Sequence, residues 1–573
     1  QDGYDRERRP ASFPAAVLEN EILRATFLPG LGGRLWSLFH KPSGRELLYT
    51  NPVFQPANLA IRNAWFSGGV EWNIGMIGHT PFTCAPLFAA RTRLDDGTPV
   101  LRLYEWERIR GVAYQIDAWL PDRSPVLLVR VRIVNPHDRD CPMYWWSNIA
   151  VPEAPGHRIL VPAESAYRLD YQTGMREIPI PRQLETDISY PTQIDRCVDF
   201  FFKVAEGQRP WIASLDGEGR GLIQTSTTRL RGRKLFVWGM SRGGRHWQDF
   251  LSKPGHPYVE IQAGLARTQS ECLPMPAGAE WSWLEAYGLM EADAAAVHGD
   301  NWTAAWQSAA RSVEALAPAA LLDAELARTA AMAARAPATV ERRGAGWGAL
   351  ERRRRARAGG KPFCDAALVF DDAALGADQA PWVALLEKGV LPRRPPGEEP
   401  GAWLVQPEWR SLLEASARTA AGDHWLTWLH LGVMRLQAGD DAGARAAWER
   451  SLERARSAWA LRNLAVLEQR AGRADAAADR WLEAHRLLPG LAPLAGECVD
   501  ALLRAGRAAE GVTVIAGLAP SIAGGGRMRY HEAKARVALG DYAAAERILQ
   551  RGFVLGDVRE GESSLTDLWF SLH

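Results

Sequence analysis

Val126-Leu127-Leu128-Val129-Arg130-Val131-Arg132-Ile133-Val134 runs directly into Asn135-Pro136-His137-Asp138. The nine residues are a β-branched and apolar run of strand length, and the tetrapeptide after them has turn chemistry. Similar punctuation stands at Pro42-Ser43-Gly44 and Asp95-Asp96-Gly97, and short alternating or apolar runs recur up to about residue 290. Many short strands at this spacing predict an antiparallel sandwich or barrel.

After Tyr287-Gly288 the composition turns to Ala, Leu, Glu and Arg, which favours helix. From about 335 to 400 the chain holds Arg352-Arg353-Arg354-Arg355, Gly359-Gly360 and Pro395-Pro396, and reads as an irregular, solvated connector. Farther on, turn pairs fall at Gly439-Asp440, Gly472-Arg473, Gly506-Arg507 and Gly540-Asp541. Each follows a helical pattern and precedes an Ala-rich one, at the spacing of a two-helix repeat. Three regions are therefore expected: a β domain over 1–290, a connector over 291–423 and a helical repeat domain over 424–573.

The chain of 573 residues is too long for one core. Its 68 Lys+Arg against 67 Asp+Glu argue against a dominant nucleic-acid or membrane-surface role. The six cysteines are scattered without metal-ligand spacing, so neither a metal nor another cofactor is expected. No run of about 18 apolar residues occurs, and Gln1 to Pro10 lack the pattern of a secretory leader. The expected location is the cytoplasm.

Three segments of the β region carry candidate chemistry. In the first, Trp65-Phe66-Ser67-Gly68-Gly69-Val70-Glu71-Trp72-Asn73 follows Arg62 and leads to His79. The glycine pair permits close backbone approach, and Glu71 and Asn73 share a strand face. The structural alternative is a Glu71 paired with a nearby arginine such as Arg62. In the second, Tyr144-Trp145-Trp146-Ser147-Asn148 places adjacent tryptophans on opposite faces, one toward the core and one toward a pocket. The third carries His246, Trp247 and Asp249, then Tyr258-Val259-Glu260-Ile261-Gln262. Glu260 and Gln262 point to one surface, and a carboxylate in so apolar a strand needs a reason to be there.

These residues carry a family resemblance. Pro29-Gly30-Leu31-Gly32-Gly33-Arg34-Leu35-Trp36-Ser37-Leu38, then Lys41-Pro42-Ser43-Gly44, resembles the opening strands of the galactose mutarotase (aldose 1-epimerase) superfamily. Phe66-Ser67-Gly68-Gly69 is similar to its His-Gly-Gly turn at the sugar pocket. Glu260-Ile261-Gln262 is similar to its late Glu-Thr-Gln strand, whose glutamate is the catalytic base. The repeats resemble tetratricopeptide repeats. As a whole the chain resembles a bacterial family joining the two parts, whose members also end on Leu-Thr-Asp-Leu-Trp-Phe, here Leu565 to Phe570. The resemblance implies an antiparallel β supersandwich followed by an α-helical solenoid.

The chain also departs from that pattern. The mutarotase acid is a histidine in a strand corresponding to Tyr144–Val151, which contains none, and Ser67 replaces the turn histidine. A second carboxylate, Glu71, stands two residues after the glycine pair. Two carboxylates flanking an anomeric carbon are the requirement of glycoside hydrolysis. The expectation is thus a glycoside hydrolase with Glu260 as base or nucleophile and Glu71 as general acid. Arg62, Asn73, His79, Asn148, His246 and Gln262 would anchor a mono- or oligosaccharide. Trp65, Trp72, Trp146 and Trp247 would stack on it, with Asp249 as a reserve acid. The alternatives are a mutarotase or sugar epimerase in which His79 or His246 supplies the acid, and a non-catalytic sugar sensor. The repeats would serve a peptide partner or a homodimer.

Overall fold

The structure is a computed structural model that describes residues 7–55, 65–170, 174–558 and 562–572. It has two compact units, one ending at Ala374 and the other beginning at Leu375. The first holds two large antiparallel sheets, of eleven and nine strands, that do not close into a barrel. The second is helical.

Val126–Val134 lies inside the nine-stranded sheet, between Val112–Trp119 and Glu280–Glu291. Its Leu127, Val129, Val131 and Ile133 enter the core between the sheets. Val126 and Leu128 point the other way and are buried too, against Leu322 and Met332. That second layer explains why the run is apolar on both faces at its start.

Arg130 and Arg132 share the outer face with Leu128 and fasten the chain that follows the strands. Arg130 donates to the Leu326 carbonyl at 2.6 Å and Thr329 Oγ1 at 3.0 Å, and Arg132 reaches Asp365 at 2.6 Å. Arg102 is fully buried, forked onto Asp117 at 2.8 and 3.0 Å, and also donates to the Met332 and Arg335 carbonyls. A further strand, Thr339–Arg342, pairs with Phe88–Arg93 at the sheet's edge.

The region read as a connector over 291–423 spans the boundary between the two units, and its part up to Ala374 lies within the first of them. Nor is the arginine run a solvated linker. It lies on helix Trp347–Arg357, where Arg354 and Arg355 pair with Glu351 and Arg352 donates to Asp372 at 2.5 Å.

In the eleven-stranded sheet, Arg34–His40, Val70–Ile74, Trp145–Pro152, Tyr258–Gly264, Gly232–Val237 and Val198–Phe202 are successive neighbours. Their inner residues, among them Trp72, Trp145, Ile149, Leu235 and Ile261, join the main core. Trp145 meets Trp283 of the opposite sheet nearly edge-on, at 5.3 Å between ring centroids. Gly69 brings the chain into this ladder with φ +66°, and a Cβ there would stand 2.4 Å from the Leu35 carbonyl oxygen.

The helical unit contains the antiparallel pairs Trp425–Gln437 with Asp441–Arg454 and Ala458–Arg470 with Ala474–Leu487. Ala492–Arg504 with Ala508–Ala516 and Gly526–Ala538 with Tyr542–Arg551 follow. Gly439, Gly472, Gly506 and Gly540 all take φ between +73° and +81°, the left-handed conformation that stops one helix and starts the next. In the first pair Trp448 lies against Gly432 and donates to the Leu429 carbonyl at 3.0 Å.

Ile261 lies between Glu260 and Gln262 but points into the core, where it is fully buried. Ile261→Ala should lower the unfolding free energy by about 2–5 kcal/mol. Denaturant titration followed by tryptophan fluorescence measures this, and a loss well under 1 kcal/mol would contradict the placement.

Candidate functional site

Residues directly opposite in an antiparallel ladder share a face, as do residues two apart on one strand. Glu71 is opposite Asn148, Asn148 is opposite Gln262, and Gln262 is opposite Lys234. One step along, Asn73, Trp146 and Gly264 form a second row; one step the other way, Ala150, Glu260, Phe236 and Asp199 form a third. All project away from the core face. Glu71, Asn73, Asn148, Asp199, Lys234, Glu260 and Gln262 are each buried. So many polar side chains sharing one covered surface are not a solvated sheet face, and they make it the candidate site. From strand spacing and rise, the Glu71 and Glu260 Cα atoms lie roughly 12 Å apart.

Glu71 is held by His79, Asn73 and Arg34, with Thr83 beside them. Its Oε2 is 2.8 Å from His79 Nδ1 and accepts from Asn73 Nδ2 at 3.1 Å. Arg34 Nη2 lies 3.5 Å from Oε1. Asn73 Oδ1 in turn accepts the Thr80 amide at 2.8 Å, tying the His79 loop to the strand. Arg34 also donates to the carbonyls of Phe66 and Gly68 at 2.7 and 2.8 Å and to Thr83 Oγ1 at 2.7 Å, so one buried guanidinium fixes the glycine turn and the carboxylate together. Burial pushes the Glu71 carboxyl up, but the charge and hydrogen bond of His79 and the charge of Arg34 outweigh it and bring it to about 2.

Glu260 has the opposite balance. Burial raises its pKa, and the neighbouring Glu71 charge adds to this against the opposing effects of His79, Lys234 and Gln262. Gln262 Nε2 donates to Glu260 Oε2 at 2.8 Å. Gln269 Nε2 donates to Gln262 Oε1 at 2.6 Å, and Lys234 Nζ donates to Gln269 Oε1 at 2.5 Å. One buried face thus carries a carboxylate kept ionised and a carboxyl biased toward its proton, backed by an imidazole.

Several expected residues lie where the strand reading put them. Glu71 with Asn73 and Glu260 with Gln262 occupy the shared face, and Asn148 stands between the two pairs with Oδ1 buried and unpartnered among the described residues. Trp65 is buried with its ring 5.1 Å from that of His79. The arginine partner of Glu71 is Arg34; Arg62 lies outside the described residues.

Other placements correct the expectation. Trp72 is on the core face, its Nε1 donating to the Gly33 carbonyl at 3.0 Å, because it alternates with Glu71 and Asn73. Trp146 is on the site face but fully buried, pressed against Gly264 and Gly232, so it forms the floor rather than a stacking surface. His246, Trp247 and Asp249 belong to a helix, Arg242–Leu251, that turns Gln248 inward and leaves His246 and Asp249 exposed. Trp247 stacks on Trp238, which packs edge-on against Phe236, so it is two rings removed from Glu260.

Arg34, Lys234, Asp199 and Gln269 escaped the sequence reading. A charged residue inside an apolar strand, the signal that singled out Glu260, also marks Lys234 and Asp199. Among the described residues no group of three His, Cys, Asp or Glu side chains is placed to hold a metal ion.

Residues 1–277 match the family model described as a domain of unknown function, DUF5107. A TPR-domain containing protein from Parabacteroides distasonis ATCC 8503 is similar along nearly the whole chain, with a TM-score of 0.67 and 18% identity over 99% of this chain and 88% of that one. That likeness is one of fold. A galactose mutarotase-like protein from Clostridium acetobutylicum aligns with 48% of this chain and 94% of its own, at 10% identity and a TM-score of 0.37. Another, from Lactobacillus casei ATCC 334, aligns with 48% of this chain and 100% of its own, at 12% identity and a TM-score of 0.33.

A carboxyl at about 2 in the folded chain, against an ordinary 4.5, contributes stability that is fully present above pH 4.5 and lost as the pH falls toward 2. Glu71→Gln should therefore cost about 3–5 kcal/mol at pH 7, since it strands the buried guanidinium. The gap to the parent should narrow by about 2 kcal/mol by pH 3. Denaturant titrations at both pH values check this, and a pH-independent gap would contradict the ionised Glu71.

Proposed function

We propose that the β unit is a carbohydrate-active enzyme that moves protons at the anomeric carbon of an aldose, opening and reclosing the sugar ring. The observation that carries this reading is the His79 Nδ1 to Glu71 Oε2 contact at 2.8 Å on the face that also presents Glu260. A carboxylate against Nδ1 fixes the ring's orientation and favours the imidazolium, leaving Nε2 as the nitrogen that exchanges a proton. Glu260, whose proton affinity is raised by burial, suits the role of base. Asn73, Asn148 and Gln262 are amides of the kind that match sugar hydroxyls.

In this mechanism Glu260 takes the proton of the anomeric hydroxyl while His79 gives one to the ring oxygen. The bond between the anomeric carbon and the ring oxygen breaks, and its electron pair goes to the oxygen. The open-chain aldehyde rotates about its first carbon–carbon bond. Reclosure on the other carbonyl face returns both protons with the roles reversed. The acid role passes from Glu71 to His79, because the charge and hydrogen bond of His79 and the charge of Arg34 keep the Glu71 carboxyl ionised at neutral pH.

Glycoside hydrolysis stays as a second reading on one observation: the raised pKa of Glu260 also suits an acid for a leaving group. It then needs Glu71 as its partner carboxylate, and Glu71 Oε2 is engaged by His79 and Asn73, with Arg34 3.5 Å from Oε1. Contact with a peptide partner or a second copy is assigned to the helical unit. Its groove of about 1010 Å³ is lined by Arg462, Glu497, Asp500, Arg527 and Lys534 among others.

Polarimetry and NMR exchange on free aldoses test the reading alongside a panel of aryl glycosides and oligosaccharides. Faster anomer equilibration is expected, reduced about 10²–10⁴-fold by Glu260→Gln and by His79→Asn. Release of sugar from a glycoside by the parent and not by Glu260→Gln would replace this reading with the hydrolase.

A further inference from the structure

Lys234 is a buried cation on Gly232–Val237, one strand beyond Glu260, with its side chain only 5% exposed. Its Nζ lies 2.6 Å from Asp199 Oδ1, on the next strand, and 2.5 Å from Gln269 Oε1, on the turn after the Glu260 strand. From Gln269 the bonds continue to Gln262 at 2.6 Å and to Glu260 Oε2 at 2.8 Å.

An ammonium can only donate, whereas an amide both donates and accepts. With Lys234 at one end, Gln269 must offer its oxygen to the cation and its NH2 to Gln262. Gln262 must then accept from Gln269 and turn its own NH2 toward Glu260. The direction of both amides follows from the chemistry of the terminal cation. Reversed, the same two amides would present a carbonyl to Glu260 and hold it as a protonated donor.

We propose that Lys234 is a positioning residue for Glu260, setting through Gln269 and Gln262 a one-way amide relay that reserves Oε2 as an acceptor and leaves Oε1 to exchange the proton with substrate. The inference rests on the anomeric reading for what Glu260 does, but the relay itself is independent of it. It also gives Gln269 and Asp199 roles. Asp199 neutralises the buried ammonium and holds it within reach of Gln269. The other groups that bear on Glu260 are Glu71 and His79 on one side, Arg34 behind Glu71, and Tyr258 on its own strand.

The test compares Gln269→Met, Lys234→Arg and the pair Lys234→Met with Asp199→Asn, made together so that no buried carboxylate is stranded. Two readouts are taken on the intact chain. One is the acidic limb of the pH–rate profile for anomer equilibration. The other is an infrared titration of the Glu260 carboxyl, isolated by subtracting Glu260→Gln, which needs no turnover.

Without the donor-only end the Gln262 amide is free to turn its carbonyl toward a protonated Glu260, which should raise the proton affinity of Glu260 and move both readouts up by about one pH unit in Gln269→Met and in the double variant. Lys234→Arg keeps a donor-only end and should stay close to the parent. The relay is overturned if Gln269→Met titrates like the parent, which would leave Lys234 acting by charge alone. It is also overturned if Lys234→Arg shifts as far as the double variant. The expected infrared shifts in a chain that equilibrates no sugar would uphold the relay and remove the anomeric reading.

Discussion

The register among Val70–Ile74, Trp145–Pro152, Tyr258–Gly264 and Gly232–Val237 is the constraint on which the rest of the structure depends. Along these strands the side-chain period is two, so a one-residue slip exchanges every inward residue for an outward one. In the observed register Trp72, Trp145, Ile149, Leu235 and Ile261 meet the opposite sheet, and Glu71, Asn148, Lys234, Glu260 and Gln262 share the other face. A slip would move the two tryptophans, two isoleucines and the leucine out of the core, at about 1.5–3 kcal/mol for each large apolar side chain. It would also drive carboxylates into that core without their partners, a larger cost. The packing that holds the fold therefore also aims the site.

On that face two equally buried carboxyls are pushed in opposite directions by their neighbours. Glu71 has an imidazole and a guanidinium against its oxygens, so the ionised form is the stable one. Glu260 has a neutral amide against one oxygen and the Glu71 charge nearby, so burial prevails. The order is self-reinforcing, since an ionised Glu71 disfavours ionisation of Glu260. Arg34 fixes this arrangement structurally as well, because the hydrogen bonds that hold the Phe66–Gly68 turn come from the same guanidinium that faces Glu71.

Much of this was legible in the residues because it follows from short-range periodicity. The i, i+2 relation paired Glu71 with Asn73 and Glu260 with Gln262, and adjacency separated Trp145 from Trp146. The same rule placed Trp72 in the core, since it lies between Glu71 and Asn73; the expectation that it stacks on sugar ignored its own neighbours. His246, Trp247 and Asp249 were misplaced because they lie on a helix that points two of them to solvent. Lys234 carries the same signal as Glu260, a charge inside an apolar strand, but its contact with Gln269 was out of reach. Their meeting depends on which strands become neighbours, and a contact between residues 35 apart leaves no mark in local pattern. The strand Thr339–Arg342, which pairs with Phe88–Arg93, is as hard to read from local pattern, because it has only four residues.

The central claim is that Glu260 and the Glu71-backed His79 face the same anomeric centre. A crystal structure of the Glu260→Gln variant, soaked with an aldose that the parent equilibrates, tests this most directly. The account predicts the anomeric hydroxyl against residue 260 and the ring oxygen within hydrogen-bond reach of His79. A sugar bound elsewhere, or one that turns its ring oxygen away from His79, would contradict it.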